Sequence, residues 1–80
     1  MKAFVYVTLK KSVLDPQGKT IQGALKKLGY GSIADVRQGK YFELEITAGD
    51  RQQVQTQVEK IAREVLTNPV IEEFKYSLEA

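Results

Sequence analysis

Lys2-Ala3-Phe4-Val5-Tyr6-Val7-Thr8-Leu9-Lys10 alternates without a break. Ala3, Val5, Val7 and Leu9 fall on one side and Phe4, Tyr6 and Thr8 on the other, so the stretch reads as a β-strand with an apolar inner face and a second, aromatic outer face. A strand that is apolar on both sides needs cover on both sides. This requirement governs how the remaining 71 residues of the 80-residue chain are read.

Outward from the strand, Asp15-Pro16 supplies a helix N-cap followed by proline at the first helical position. Ile21, Ala24, Leu25 and Leu28 then repeat at helical spacing until Gly29, which suits the left-handed residue that closes a helix; Gly18 sits in the first turn. Gly29-Tyr30-Gly31-Ser32 leads to a second predicted strand, Ile33 to Gln38, joined through Gly39-Lys40 as a two-residue hairpin to a third, Tyr41 to Thr47. Phe42, Leu44 and Ile46 share one face of that third strand. Asp50 with Gln53 forms a capping box, and Val54, Val58, Ile61, Ala62, Val65 and Leu66 make the buried stripe of a second helix that stops at Asn68-Pro69. Val70 to Leu78 alternates again, with Phe74, Tyr76 and Leu78 opposite Glu73, Lys75 and Ser77.

The order strand, helix, strand, strand, helix, strand is the ferredoxin-like βαββαβ arrangement of the α+β class, one domain over residues 1–80. Two helices on one face of an antiparallel sheet leave the other face open, and Phe4 and Tyr6 lie on it. Phe4, Tyr6, Phe74 and Tyr76 are therefore the candidate homo-oligomer interface, as amphipathic aromatics are favoured where subunits meet.

Composition excludes more than it identifies. The chain has no Cys and no His, which removes disulfides, thiol nucleophiles, imidazole bases and the commonest transition-metal ligands. At this length only about 60 to 65% of the unfolded chain's surface is buried on folding, so the core is thin. No stretch approaches the roughly 20 apolar residues of a membrane span, and Met1 to Val5 carries no apolar signal region, so a soluble cytoplasmic protein is expected. A formal charge of +2 with scattered basic residues does not argue for nucleic acid.

The chemistry-bearing candidates reduce to structural roles. Glu43 and Glu45 share one side of a strand and offer an acid and a base, but that side is solvent or interface. Gly29-Tyr30-Gly31 and Gly39-Lys40 are too short for a phosphate loop, which runs from a strand into a helix N-terminus. Gly39 to Leu44 matches an RNA-recognition strand only in part, since Gln38 stands where a basic residue is wanted and Glu43 would meet the RNA. An acylphosphatase-type anion loop would need an arginine where Lys10 to Pro16 places Asp15. A small ligand-binding regulatory homo-oligomer stays open as an alternative, with an RNA-binding module behind it.

Particular strings go further. Val7-Thr8-Leu9-Lys10, Val13-Leu14-Asp15-Pro16-Gln17-Gly18, Ala24-Leu25, Leu28-Gly29, Val36-Arg37-Gln38-Gly39-Lys40 and Leu66-Thr67-Asn68-Pro69-Val70-Ile71-Glu72 together resemble the PurS family across essentially the whole chain. The resemblance implies a non-catalytic accessory subunit of phosphoribosylformylglycinamidine synthase in purine biosynthesis, with no cofactor of its own in a complex that uses ATP and Mg. It implies a homodimer or dimer of dimers that bridges a PurQ-type glutaminase and a PurL-type synthase subunit, with no nucleic acid and no membrane. The exposed residues of the matching strings, Asp15, Gln17, Arg37, Lys40, Asn68 and Glu72, are the candidate subunit contacts.

Overall fold

The computed structural model describes residues 1–79 and is built from five elements. They are β1 (Lys2–Leu9), α1 (Pro16–Lys27), β2 (Gly39–Glu45), α2 (Arg51–Ile61) and β3 (Glu72–Glu79), with α2 running on through a wider π turn at Ala62–Leu66. The sheet is antiparallel in the order β2-β1-β3. It is the expected α+β, ferredoxin-like arrangement, with one strand slot outside the hydrogen-bonded sheet.

Register fixes the two faces. Val5 pairs with Phe42 and Tyr76, and Ala3 with Leu44 and Leu78, so the inner face is a continuous apolar sheet surface. Helix α2 lies on it, started by the Asp50–Gln53 capping box read from the sequence. Ala3, Val5, Val7, Val54, Val58 and Ala62 form the buried core. Phe42, Leu44, Phe74, Tyr76 and Leu78 flank it half-buried.

Three expectations are corrected. The predicted strand Ile33–Gln38 has no strand partner, and Gly39-Lys40 is not a turn but the start of β2. Gly39 pairs with Thr8, and a Cβ there would lie 2.4 Å from the Val7 carbonyl oxygen. Close backbone approach, not a reversed turn, is what this glycine serves. Secondly, α1 does not pack on the sheet beside α2, and Ile21, Ala24 and Leu28 stay exposed, Leu28 at 73%. Thirdly, Val65 leaves the buried stripe and is 73% exposed, because the wider π turn shifts its angular position around the helix.

The molecule is consequently long and thin. Its extents are 49 × 26 × 14 Å and its radius of gyration is 16.0 Å, against roughly 12 Å for a compact domain of this length.

Candidate interaction surfaces

The six residues singled out from the matching strings gather at the end of the sheet where β1 finishes and β2 begins. Asp15 caps α1, but it is also 4% exposed and ties two segments together. One carboxylate oxygen accepts the Gly18 N–H at 2.9 Å and the other the Gln38 N–H at 2.7 Å. These backbone N–H groups, with the Arg37 charge as a lesser cause, hold its pKa below the ordinary aspartate value. Arg37 directs one Nη2 at the carbonyls of Leu9, Lys10 and Val13 at 3.1, 2.8 and 3.3 Å.

Lys40 pairs with Glu72 at 3.5 Å. The other Glu72 oxygen accepts the Asn68 N–H at 2.7 Å, and Asn68 Oδ1 accepts from Val70. Among the described residues, only Gln17 of the six makes no side-chain hydrogen bond or ion pair; it is exposed and lines a cleft of ≈ 210 Å³ with Asp15, Lys40 and Glu72. Five of the six thus make bonds within the chain: Asp15 and Arg37 join distant segments, Lys40 and Glu72 join β2 to β3, and Asn68 closes its own turn. Sequence reasoning found the cluster but not the bonds inside it.

Gly18 is the member it missed. A Cβ there would sit 2.1 Å from the Val36 carbonyl oxygen, so the first turn of α1 lies directly on the Ile33–Gln38 segment. The signal was present: glycine inside a helix costs about 1 kcal/mol relative to alanine, so its occurrence asks for a steric reason. Gln22 Nε2 donates to the Ala34 carbonyl at 2.6 Å and Lys19 pairs with Asp35 at 3.6 Å. Helix α1 and its returning strap form one arm, joined to the sheet at Asp15 and Arg37 and pointing away from it.

The outer sheet face is the second surface. Tyr41, on the same face, extends the expected pair Phe4 and Tyr6, its ring centroid 5.1 Å from Tyr6 and 6.1 Å from Phe4. Tyr6 is 47% and Tyr41 52% exposed. Desolvation, then the neighbouring Glu43 charge, raises the Tyr41 pKa. Phe74 and Tyr76 do not join this patch: their register with Val7 and Val5 puts them on the inner face, where the Tyr76 hydroxyl donates to Glu59 of α2. The four candidate interface aromatics are therefore split between opposite faces.

Glu43 and Glu45 lie on the outer side of β2, and Glu43 is paired with Lys2 at 3.2 Å. Among the described residues no group of His, Cys, Asp and Glu could hold a metal, and no helix is long and apolar enough to cross a membrane.

Comparison with known proteins places these surfaces in context. The PurS family model, described as phosphoribosylformylglycinamidine (FGAM) synthase, matches residues 2–80. The phosphoribosylformylglycinamidine synthase subunit PurS of Bacillus subtilis is 46% identical over 78 residues, covering 98% of this chain and 92% of that protein. The PurS subunit of Mycobacterium leprae is also 46% identical, covering 99% and 96%. Among solved structures, B. subtilis PurS superposes with a TM-score of 0.86 at 46% identity, covering 99% of this chain and 98% of that one. A chain of PurLQS from Thermotoga maritima superposes with a TM-score of 0.84 at 31% identity, covering 95% and 94%. Matched over its whole length in both sequence and fold, the chain belongs to the PurS family of phosphoribosylformylglycinamidine synthase.

Proposed function

We propose that this chain is the non-catalytic accessory subunit of a phosphoribosylformylglycinamidine synthase complex in purine biosynthesis, acting in the cytoplasm as a homodimer or dimer of dimers. The observation that carries the reading is the full-length match to a family that includes a chain of a PurLQS structure. In such a complex a PurQ-type glutaminase releases ammonia from glutamine. A PurL-type subunit, using ATP and Mg, activates the amide oxygen of formylglycinamide ribonucleotide and accepts the ammonia.

The work left to this chain is placement. Holding the two active sites in register along a closed route keeps ammonia at high effective concentration and away from bulk solvent, which is where proximity contributes most to rate. An extended molecule with apolar groups uncovered on both its arm and its outer face suits a bridging role, since both surfaces need partners. Phe4 and Tyr6, with Tyr41, are the proposed self-contact. Gln17 is the proposed contact to a larger subunit, as its side chain is free to make one.

The test is formylglycinamidine ribonucleotide synthesis by the purified glutaminase and synthase subunits with and without this protein. Glutamine-driven turnover is expected to require it, while turnover driven by added ammonia is not. Equal glutamine-driven rates in its presence and absence would overturn the reading. Sedimentation equilibrium of the isolated protein checks the self-association.

A further inference from the structure

Leu14 and Val70 are 70% and 77% exposed, and both stand at the end of the sheet where β1 finishes and β3 begins. Helix α2 runs back to the same end and brings the exposed Val65 there, and Ile71 follows Val70. The two loops are joined, since the Lys10 N–H donates to the Ile71 carbonyl at 2.8 Å.

Each loop is also braced from within. The Ile71 and Glu72 N–H groups donate to the Asn68 carbonyl at 3.1 and 2.7 Å, the Val70 N–H to Asn68 Oδ1 at 3.1 Å, and the Asn68 N–H to Glu72 Oε1 at 2.7 Å. On the other loop the Val13 N–H donates to the Lys10 carbonyl at 2.8 Å, Arg37 closes on the carbonyls of Leu9, Lys10 and Val13, and Asp15 is buried next to Leu14. Leu14 and Val70 are thus fixed in water by bonds that bring them no cover. Apolar groups held in place beforehand lose little freedom when a partner covers them.

Charge identifies the kind of partner. Lys10, Lys11 and Arg63 border this end against Glu64, and none of the four has an ion pair among the described residues. Lys40 and Glu72 occupy one another, and Glu73 and Lys75 offset each other on the outer face. At the far end of β1 the sign reverses, with Glu43, Glu45 and Glu79 around Lys2. Eight residues of strand separate the two ends by roughly 25 Å, well beyond the screening length of about 8 Å at physiological salt. A partner at one end is therefore insensitive to the other. A two-fold contact of the basic end with itself would set cation against cation, and a head-to-tail contact of basic end on acidic end would not close. Neither suits a second copy of this chain.

We infer that this end, centred on Leu14 and Val70 and edged by Lys10, Lys11 and Arg63, docks on a larger subunit of the complex. The matching patch on that subunit is apolar at its centre and carboxylate-rich at its rim, the usual anatomy of a specific interface. The inference rests on the accessory-subunit reading and names the surface that serves it; Gln17, three residues past Leu14, lies at its edge.

The test is calorimetric titration of the purified synthase and glutaminase subunits, singly and together, with this protein and two double variants. Leu14→Ser with Val70→Ser should weaken binding at least about tenfold, with the urea midpoint of the free chain kept because neither residue is in the core. Lys11→Glu with Arg63→Glu should also bind about tenfold more weakly, and should lack most of the wild type's loss of affinity with rising salt. A wild-type protein that binds neither subunit would remove the accessory-subunit reading and this inference with it. Wild-type binding that both variants reproduce would overturn the docking surface alone. Variants that keep that binding but lose self-association in sedimentation equilibrium would assign this end to a second copy and overturn the inference as well.

Discussion

Asp15 shows how one carboxylate can join three segments. Its folded pKa is lowered chiefly by the Gly18 and Gln38 N–H groups, so its stabilisation is full above the unfolded value of about 3.9 and is lost as pH falls through the folded pKa. Asp15→Asn should be less stable than wild type at pH 7, because the amide cannot accept both N–H groups. That gap, read as urea midpoints at fixed protein concentration from pH 7 down to 2, should shrink below about pH 4. A gap independent of pH would show that the charge is not what holds the joint. Two glycines of α1 make a sharper comparison. Gly18→Ala drives a Cβ into the Val36 carbonyl and should cost about 1 to 3 kcal/mol. Gly23 has open space around it, so Gly23→Ala should stabilise by up to about 1 kcal/mol. Opposite signs from the same substitution on one helix, measured by urea unfolding, would establish the close approach.

The elements separate what sequence could reveal from what it could not. Helix starts were legible in full, because caps are local: Asp15-Pro16 and the Asp50–Gln53 box stand where their residue types put them. Alternation showed which residues of a strand share a face, as Phe42 with Leu44 and Phe74 with Tyr76 do, but not which face of β3 turns inward: Phe74 and Tyr76, expected beside Phe4 and Tyr6, lie on the inner face because register with β1 decides it. The pairing of Ile33–Gln38 was not legible, since periodicity reports a preference for extended backbone and says nothing of whether a neighbouring edge exists in the same chain. Nor was the position of α1. Its apolar stripe shows a preference for burial, not where in the fold the helix lies. Val65 fails for a different reason: the π turn changes the angle per residue, which no period-3.6 reading anticipates. Val58 and Val65 belong to one predicted stripe, so they test this directly. Val58→Ala should cost about 2 to 3 kcal/mol, from two lost methyl groups and the cavity they leave. Val65→Ala should change stability by less than about 0.5 kcal/mol. Chemical denaturation of the two variants side by side decides the matter.

As a whole molecule, the chain has a small core of valines and alanines and a large apolar surface turned outward. Local protection should follow that division. In native-state hydrogen exchange the amides of β1 and α2 should exchange only through global unfolding, while those of α1 should exchange far faster in dilute protein and slow as concentration rises. Concentration-independent exchange along α1 would mean that its stripe finds no cover by self-association. The candidate functional surfaces were legible to the same extent as the fold. The cluster around Asp15 was found because its residues form recognisable strings, while its internal bonds were not, because hydrogen-bond partners distant in sequence are invisible there.

The free end of the arm is also where the folded chain is open to a protease. Lys26 and Lys27 end α1 on an exposed turn next to Leu28, Gly29 and Tyr30, the sort of protruding, weakly held site at which proteases nick a folded chain. Limited digestion with trypsin should therefore cut the folded chain first after Lys26 or Lys27, and an earlier cut elsewhere would show that this end of α1 is held as firmly as the rest.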